Sequence, residues 1–435
     1  MIRKGFIFNY DLCVSCQACS AGCILENGWN AKPRTVYQVN PDCLITIPAI
    51  NISMACNHCN NPSCLKSCPT NAFFIDNSSG SVLVDESKCF GCNYCIWNCP
   101  YDAPKSDIRN GIISKCNFCV QLLSEGSQPA CTSACPTGAM KYGDIADIPD
   151  NSMYPWLAER NLNPRIEIKG DTSNAPLKII PEKIYNSVSS SKTGRRKRIA
   201  DEWSLILFSF LTALSVALMC TYTLTGKTQN KLLIISITLL SGLVSFLHLG
   251  RKQRAWRAVT NFLSSALSRE IAVYLIYTAL TIFSLVSEIP GLLITASVSG
   301  LILLLTIDSV YTHPDQRIKL LFHSGQTFLT GLLIGSFFSV MTVSFLFIAV
   351  IKMFSGFYYL ISERNERGIF GIRFLRLAFL AAAGFIMIRG MTVYDPLVIC
   401  LFLTGELIDR WLFYIDFTPD NIRTRISEYT QKIIK

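Results

Sequence analysis

Sixteen of the chain's 19 cysteines form four consecutive groups whose spacing is typical of iron–sulfur ligands. The groups at 13–23 and 89–99 have the bacterial-ferredoxin spacing Cys-x2-Cys-x2-Cys-x3-Cys. The groups at 56–68 and 116–135 are spaced x2-x4-x3 and x2-x11-x3, and a proline follows each of the last three groups. Four cysteines in each group predict four 4Fe-4S clusters that carry electrons. The predicted ligands are Cys13, Cys16, Cys19, Cys23, Cys56, Cys59, Cys64, Cys68, Cys89, Cys92, Cys95, Cys99, Cys116, Cys119, Cys131 and Cys135.

The fourth cysteine of such a run begins a helix that points away from its own loop, so it reaches the other cluster of a pair. Spacing alone leaves open which groups pair, and we favour nested pairs, the first group with the fourth and the second with the third. The predicted sets are cluster one, Cys13, Cys16, Cys19 and Cys135; cluster two, Cys116, Cys119, Cys131 and Cys23; cluster three, Cys56, Cys59, Cys64 and Cys99; and cluster four, Cys89, Cys92, Cys95 and Cys68.

Zinc sites and disulfides are the other common uses of closely spaced cysteines. Structural zinc takes its four ligands from two separated pairs, which is not the spacing of these groups. Disulfides are typical of secreted chains, and residues 1–12 carry three charges and no long apolar core, so no signal peptide is predicted. Iron–sulfur ligation is therefore favoured. Of the remaining cysteines, Cys43 is predicted to be a free thiol, and Cys220 and Cys400 lie in apolar runs as small hydrophobic residues.

The chain has two halves of different composition, and the predicted cluster ligands all lie in the first half. Residues 1–190 hold 15 basic and 16 acidic residues, whereas residues 191–435 hold 25 basic and 14 acidic residues. The basic residues of the second half lie between apolar runs, which argues against a nucleic-acid surface. We predict an α+β ferredoxin-like iron–sulfur domain of two double-cluster modules, followed by an all-α bundle of eight transmembrane helices. The predicted limits are 1–186 for the iron–sulfur domain, 187–202 for a basic linker, 203–416 for the membrane anchor and 417–435 for a C-terminal tail.

Apolar runs in the second half are long enough to cross a bilayer, which takes about 20 residues. Residues 322–362 form a run of 41 residues interrupted only by Lys352. That run is too long for one helix and is interpreted as two tightly linked helices, with Lys352 facing the bundle interior or reaching towards the membrane edge. The remaining predicted spans are 203–225, 232–250, 271–287, 291–307, 369–388 and 396–415.

Basic residues are distributed unequally about these eight spans. With the N-terminus on the inner side, 21 of the 25 basic residues after residue 190 lie in inner segments. Cytoplasmic loops carry an excess of lysine and arginine, so the iron–sulfur domain is predicted on the cytoplasmic side of the inner membrane. The basic linker at 187–202 is predicted to be a flexible joint beside anionic head groups.

An electron carrier in a membrane needs a donor or acceptor there, and lipid-soluble quinol is the obvious one. Oxidation of quinol releases two electrons and two protons, which requires an acid–base group near the membrane edge. The predicted quinol-site residues are His248, at the inner end of the second span, the nearby Arg251, Glu270, which opens the third span, and Glu406 in the last span. Each has a structural alternative: an interfacial histidine, a carboxylate at a helix N-terminus, and a pairing of Glu406 with Arg410 at i,i+4.

The chain has four histidines, and we find no pair at a depth suited to the two axial ligands of a haem b, so no haem is expected. We also find no Gly-rich dinucleotide loop and no nucleophile constellation. The chain is therefore predicted to be a non-catalytic electron-transfer subunit with a quinol site.

The four cysteine groups, in this order and with eleven residues inside the last, resemble the electron-transfer subunit of the dimethyl sulfoxide reductase family of molybdoenzymes. The membrane half resembles the anchor subunit of the same enzymes, most clearly in LHLG at 247–250, SSALSREIA at 264–272 and GELIDR at 405–410. Together the resemblances cover nearly the whole chain, and they are least close at the linker and at the fifth and sixth spans.

The resemblance implies an eight-helix anchor that oxidises menaquinol, a relay of four clusters, and a separate catalytic subunit that bears the molybdopterin cofactor. The family's menaquinol-site histidine and glutamate match His248 and Glu270. Two features depart from the family: relay and anchor are fused here, and the charge distribution favours a cytoplasmic relay, so the family's facing direction is not carried over.

We therefore predict the electron-transfer and anchor subunit of an anaerobic reductase, with a molybdopterin-containing partner, the menaquinone pool and the lipid bilayer as its partners. The alternatives are a formate dehydrogenase or hydrogenase subunit that reduces quinone, and a polysulfide or tetrathionate reductase subunit of the same family. A cluster-driven ion pump is a further alternative, for which the sequence offers few intramembrane carboxylates.

Overall fold

The computed structural model describes residues 3–38, 50–107, 109–145, 162–170, 203–226, 230–311, 323–362, 367–389, 395–417, 421–422 and 425–426. Cys43, His313 and the predicted linker 187–202 lie outside these residues, as does most of the predicted tail. The chain divides into two compact units. One comprises residues 1–196, 249–265 and 419–435, and the other comprises 197–248 and 266–418.

The first unit, which we call the iron–sulfur unit, contains short strands and short helices. Its largest sheet has three strands in the order β8-β1-β9, in which β1 pairs antiparallel with β8 and parallel with β9. Three two-stranded antiparallel ribbons pair β2 with β3, β4 with β5 and β6 with β7. The strands are β1 Arg3–Asn9, β2 Thr35–Gln38, β3 Asn51–Met54, β4 Phe73–Ile75, β5 Val82–Val84, β6 Lys105–Asp107, β7 Ile112–Ser114, β8 Met140–Ile145 and β9 Ile166–Lys169.

Each helix of this unit contains or adjoins one or two of the cysteines. The helices are α1 Ala18–Asn27, α2 Ser63–Ser67, α3 Tyr94–Asn98, α4 Val120–Ser124 and α5 Ala130–Ser133; α4 directly follows Cys119. Such short elements bury little apolar surface by themselves. The unit's apolar core consists of residues such as Phe6 and Phe8 of β1 together with cysteines of several groups. The cysteines and whatever they bind are therefore part of the core.

The second unit, which we call the membrane unit, consists of long apolar helices. Among the described residues, six helices are long and apolar enough to cross a membrane. Two others differ: Thr327–Phe338 is apolar but has only 12 residues, and Pro396–Asp416 has 21 residues and several charges. The helices are α6 Trp203–Thr225, α7 Lys231–Ser245, α8 Ala266–Ser287, α9 Pro290–Val310, α10 Thr327–Phe338, α11 Thr342–Ser362, α12 Arg367–Ile388 and α13 Pro396–Asp416.

The apolar run at 322–362 contains two helices, as the sequence predicted. Helices α10 and α11 are separated by a three-residue turn in which Val340 has a φ of 56°. A β-branched residue rarely adopts that conformation, so the turn is fixed by its surroundings. A membrane protein with a helical region of about six apolar candidate spans is thus established, and the count of eight spans stays a prediction.

Candidate iron–sulfur and quinol sites

One backbone feature recurs in all four cysteine groups. The residue before the second cysteine lies in the left-handed region: φ is 58° at Ser15, 42° at His58, 73° at Gly91 and 66° at Phe118. Residues other than glycine rarely adopt this conformation. Left-handed residues in loops direct successive N–H groups into a concave surface that binds anions. The four loops therefore share a local geometry that suits the negative charge of a thiolate-ligated cluster.

Two cavities gather cysteines that are far apart in the sequence. In each of them, three cysteines of one group meet the last cysteine of another group. One cavity has a volume of about 310 Å³, and its lining includes Cys13, Cys16, Cys19 and Cys135. The other has a volume of about 280 Å³, and its lining includes Cys68, Cys89, Cys92 and Cys95. These are the sets predicted for clusters one and four.

The remaining eight cysteines form two sets through their electrostatic neighbours. Burial raises the pKa of the Cys59 thiol, and neighbouring thiolates raise it further; these are Cys56, Cys99 and Cys64. Burial also raises the pKa of Cys23 to about 12, and its neighbours include Cys131 and Cys119. Cys116 in turn has Cys23 and Cys131 as neighbours. The two sets correspond to those predicted for clusters three and two.

Electrostatic neighbours shared between the sets indicate a linear order. Cys131 of set two has Cys19 of set one as a charged neighbour. Cys116 of set two has Cys56 of set three as a neighbour. Cys95 of set four has Cys64 of set three as a neighbour. The cysteine sets thus follow one another as one, two, three and four.

The cysteine sets differ in arrangement from a disulfide pair and from the ligands of a single metal ion. The 18 cysteines within the described ranges are all free thiols. Within the same ranges, no three cysteine, histidine or carboxylate side chains converge as ligands of a single metal ion. A 4Fe-4S cluster distributes its four thiolates over four irons, so its ligands stand farther apart than those of zinc. The cavities lined by four cysteines each are consistent with the ligand set of a 4Fe-4S cluster.

The two ends of this order differ in their surroundings. At set one, Cys16 is exposed and Cys13 is partly exposed. The neighbouring apolar side chains Leu12 and Val14 are 46% and 64% exposed. At set four, by contrast, a segment from the second half of the sequence covers the cysteine loops.

This covering segment, residues 249–265, joins α7 to α8 and belongs to the iron–sulfur unit. The Arg254 guanidinium donates to the Cys89 carbonyl at 2.9 Å, and the Asn261 side-chain amide donates to the Cys68 carbonyl at 2.8 Å. The Ser265 hydroxyl donates to the Ser67 carbonyl, also at 2.8 Å. Burial raises the pKa of the Cys89 thiol, while the charge of Arg254 opposes that rise. The segment therefore places a cation beside set four.

Gly250 makes this contact possible because its backbone lies against two glycines of the iron–sulfur unit. A Cβ at Gly250 would lie 2.1 Å from the Gly111 carbonyl oxygen, and a Cβ at Gly91 would lie 2.3 Å from the same atom. Both distances are far below van der Waals contact. The glycine of the LHLG sequence therefore has a packing role that the sequence did not reveal.

The four residues predicted for the quinol site have different environments. His248 is half-buried and ends a short 3₁₀ turn, Phe246–His248. Glu270 is 7% exposed in the first turns of α8, and its charged neighbours are Arg410 and Asp308. Arg251 lies in the covering segment, where its Nε donates to the Asn110 carbonyl at 2.7 Å.

Glu406, the fourth, is 2% exposed and pairs with Lys352. Lys352 has no exposed surface, so it faces the interior of the bundle, which was one of its two predicted positions. The expected pairing of Glu406 with Arg410 is replaced, because Arg410 contacts the Asp308 carboxylate at 3.8 Å and the Ser209 hydroxyl at 2.8 Å.

A connected group of buried charges surrounds this pair, and we call it the membrane ionic network. Arg376 lies 2.7 Å from Asp409, and Arg373 lies 2.6 Å from Asp416, which also contacts His323 at 3.0 Å. The sequence showed each residue but not the network, because its members come from several helices and a loop. The sequence also showed the run of basic residues at 249–265, but it did not show that this segment covers the cysteine loops.

Comparisons with known proteins identify the iron–sulfur half. The 4Fe-4S dicluster domain family matches residues 48–145. An anaerobic dimethyl sulfoxide reductase chain of Haemophilus influenzae is 35% identical over 198 residues, which are 40% of this chain and 96% of that protein. A polysulfide reductase chain of Wolinella succinogenes is 35% identical over 192 residues, 42% of this chain and 95% of that protein.

Two further relatives are named for reactions of other substrates. A tetrathionate reductase subunit of Salmonella typhimurium is 38% identical over 149 residues, 33% of this chain and 59% of that protein. A sulfite dehydrogenase subunit of Allochromatium vinosum is 30% identical over 183 residues, 37% of this chain and 76% of that protein. The matches lie in the N-terminal part of the sequence. Since they take in nearly the full length of the dimethyl sulfoxide and polysulfide reductase relatives, the protein belongs to the family of iron–sulfur electron-transfer subunits found in anaerobic dimethyl sulfoxide reductases.

Proposed function

We propose that the protein is the electron-transfer and membrane-anchor subunit of a molybdoenzyme reductase, which oxidises menaquinol and passes electrons to a separate catalytic subunit. The observation that carries this proposal is the linear order of the four cysteine sets, with one end exposed and the other covered by a loop between membrane helices. When bound, four 4Fe-4S clusters supply one-electron transfer along that order. The protein itself holds no substrate-reducing site in this proposal.

The covered end is the proposed entry for electrons. The covering segment follows His248 directly in the sequence and leads into α8, which carries Glu270. We propose that His248 accepts a hydrogen bond from a quinol hydroxyl and that Glu270 takes up a proton as the quinol is oxidised. Each quinol yields a quinone, two electrons that pass singly to the clusters, and two protons, of which one is taken up by Glu270 and both are finally released to water. Arg251 and Glu406 remain predicted members of the quinol site. The Arg251 side chain donates to the Asn110 carbonyl, and Glu406 pairs with Lys352.

The exposed end is the proposed exit. Leu12 and Val14 flank Cys13 and form exposed apolar surface next to set one. Apolar contact residues beside an accessible redox centre suit a docked protein partner. We propose that the molybdopterin-containing catalytic subunit docks there, and that eight helices hold the protein in the inner membrane with the iron–sulfur unit on the cytoplasmic side.

Anaerobic purification with native partners tests the proposal. We expect about 16 irons per chain, since four clusters hold four irons each, together with molybdenum in the complex. A menaquinol analogue should reduce the clusters in the wild type, and His248→Ala should abolish that reduction without loss of iron. Leu247→Ala, a change at the adjacent exposed residue, is the matched control. Full iron without molybdenum would contradict the partner, and reduction that is indifferent to His248 would contradict the quinol site.

A second candidate has electrons flowing in the opposite direction, from an oxidising partner to menaquinone. The name of the sulfite dehydrogenase relative favours it. Steady-state assays separate the two directions. In the reductase, quinol oxidation should depend on an added terminal acceptor. In the dehydrogenase, oxidation of an added donor such as formate or sulfite should depend on quinone.

A further inference from the structure

Arg34, which immediately precedes β2, is a buried cation that no carboxylate accompanies in the described ranges. Its side chain is 1% exposed. Nη1 donates to the Ser53 hydroxyl at 3.2 Å, and the guanidinium carbon lies 4.6 Å from the centre of the Phe6 ring. Nε and Nη2 have no hydrogen-bond partner among the described residues. Two charged donors therefore lie in the core without an acceptor.

Such an arrangement is strongly unfavourable unless an anion lies close by. Removal of a guanidinium from water is costly, and a buried donor without an acceptor adds to the cost. Phe6 offers only a weak attraction between the cation and its ring. The ring, one hydroxyl and the weakly accepting Met140 sulfur, 3.9 Å from Nη1, therefore leave most of the cost of burial without compensation from the protein.

The anions that can supply compensation are thiolates of cysteine sets one and two. The charged neighbours of Arg34 are Cys131, Cys116 and Cys23 of set two and Cys19 of set one. The Ser53 hydroxyl bridges the Arg34 guanidinium and the Cys19 thiol, because its oxygen lies 3.2 Å from Arg34 Nη1 and 3.3 Å from the Cys19 sulfur. Burial tends to lower the pKa of Arg34, but these thiolates raise it above its usual value.

The second pair of sets has no equivalent residue with free donors among the residues described. Lys115 is also buried, at 4% exposure, and neighbours Cys64 of set three. Its ammonium group, however, donates to the backbone carbonyls of Val82 and Cys116. Only Arg34 combines full burial, free donors and neighbours in two sets within the described part of the molecule.

We propose that Arg34 is the shared counter-cation of clusters one and two, that it hydrogen-bonds their sulfur atoms, and that it raises the reduction potentials of both relative to clusters three and four. The inference rests on the proposed pairing of the cysteine sets. A cluster gains one negative charge on reduction, so a fixed cation nearby favours the reduced form. Electrons that enter at cluster four are then drawn towards cluster one, where the partner subunit docks.

Redox titration of the full-length protein, followed by electron paramagnetic resonance, tests this role. Arg34→Gln removes the charge and keeps a polar side chain of similar width. We expect the ratio of reduced to oxidised cluster, at a fixed potential, to fall at least tenfold for two of the four clusters. A tenfold change in a one-electron couple is 59 mV. The other two clusters should change less than threefold. Lys141→Gln, at an exposed position on β8, is the control for loss of one positive charge.

Arg34→Lys resolves the case in which the Gln variant fails to bind iron. Lysine keeps the charge but has a shorter reach and lacks the planar fork. We expect Arg34→Lys to bind about 16 irons and to keep all potentials within tenfold of the wild type. Iron binding rescued by Lys but not by Gln would support the counter-cation. Equal failure of both variants, or a fully loaded Gln variant with unchanged potentials, would overturn it. The iron content of the wild type tests the proposed function separately.

Discussion

Lys352 is the most fully buried lysine among the described residues, and its removal should destabilise the membrane unit strongly. It has no exposed surface, and its ammonium group contacts Glu406, lies 3.2 Å from the Asp409 carboxylate and donates to Thr330 at 3.0 Å. Lys352→Met keeps the length of the side chain and removes the cation. Asp409 retains Arg376 at 2.7 Å, so the main consequence is an unpaired buried carboxylate at Glu406.

The expected loss follows from the burial of both partners. Removal of one member of a buried ion pair costs about 3–5 kcal/mol, because the other charge stays without compensation. For a unit of roughly 200 residues, 1 kcal/mol shifts the melting temperature by about 2–4 °C, so the shift should be about 6–20 °C. Thermal unfolding of the purified protein in detergent, followed by circular dichroism of the helices, measures it.

Two variants make the reasoning refutable. Lys231→Met is the same substitution in an exposed pair with Glu288, whose side chains are 37% and 58% exposed, and should cost about 0–1 kcal/mol. The double variant Lys352→Met with Glu406→Gln removes both charges and should recover at least half of the loss. If Lys352→Met is as stable as Lys231→Met, the buried pair does not stabilise the bundle and the argument fails.

Three other predictions concern the iron–sulfur unit. Arg254→Gln should lower the reduction potential of one cluster only, because Arg254 is a charged neighbour of Cys89, and the variant should retain about 16 irons. Redox titration measures the potentials, and a shift in two or more clusters would contradict the prediction. Gly250→Val should displace the covering segment, since its Cβ would meet the Gly111 carbonyl, and should increase cleavage of residues 249–265 by added protease; unchanged cleavage would count against the contact. Anaerobic chelation of iron should unfold this unit and leave the membrane helices intact, because cysteines belong to the core of one unit only; a large loss of helical circular dichroism would refute this.

The sequence predicted the iron–sulfur half well because the ligand spacing is a local property. The number of residues between Cys89 and Cys92 already determines how one loop can surround a cluster. Apolar runs likewise located membrane helices, because crossing the hydrocarbon core takes about 20 apolar residues, and the run at 203–225 coincides with α6. The sequence also showed that 322–362 is too long for one helix, which the turn at Val340 confirms.

Contacts between residues far apart in the chain could not be predicted from the sequence. Glu406 and Arg410 are four residues apart, so sequence spacing suggested a pair, yet each finds its partner on another helix. Lys352 and Glu406 are 54 residues apart, and nothing in their local patterns connects them. Arg34 is similar, because a single arginine before a strand is usually exposed. Burial of a charge is decided by the whole fold, and a pattern within one element does not contain it.

The covering segment bears on why the two halves can be fused at all. The relative from Haemophilus influenzae aligns over 96% of its length with only 40% of this chain, so it has no counterpart of the membrane half. In the present protein the segment 249–265 makes at least ten hydrogen bonds to residues 66–110 of the N-terminal half, through residues such as Arg254, Asn261 and Ser265. Charge-assisted and neutral hydrogen bonds contribute about 0.5–3 kcal/mol each, and we expect this set to hold two separate polypeptides together.

The covalent connection at 187–202 should therefore be dispensable for assembly. A protease site inserted there should give two fragments that copurify in detergent after cleavage, and the clusters should still be reduced by menaquinol. The triple variant Arg254→Gln, Asn261→Ala and Ser265→Ala should separate the fragments after cleavage but leave the uncleaved protein active, because the linker then maintains a high effective concentration. Fragments that separate without these substitutions would show that fusion, and not the covering segment, holds the two halves together.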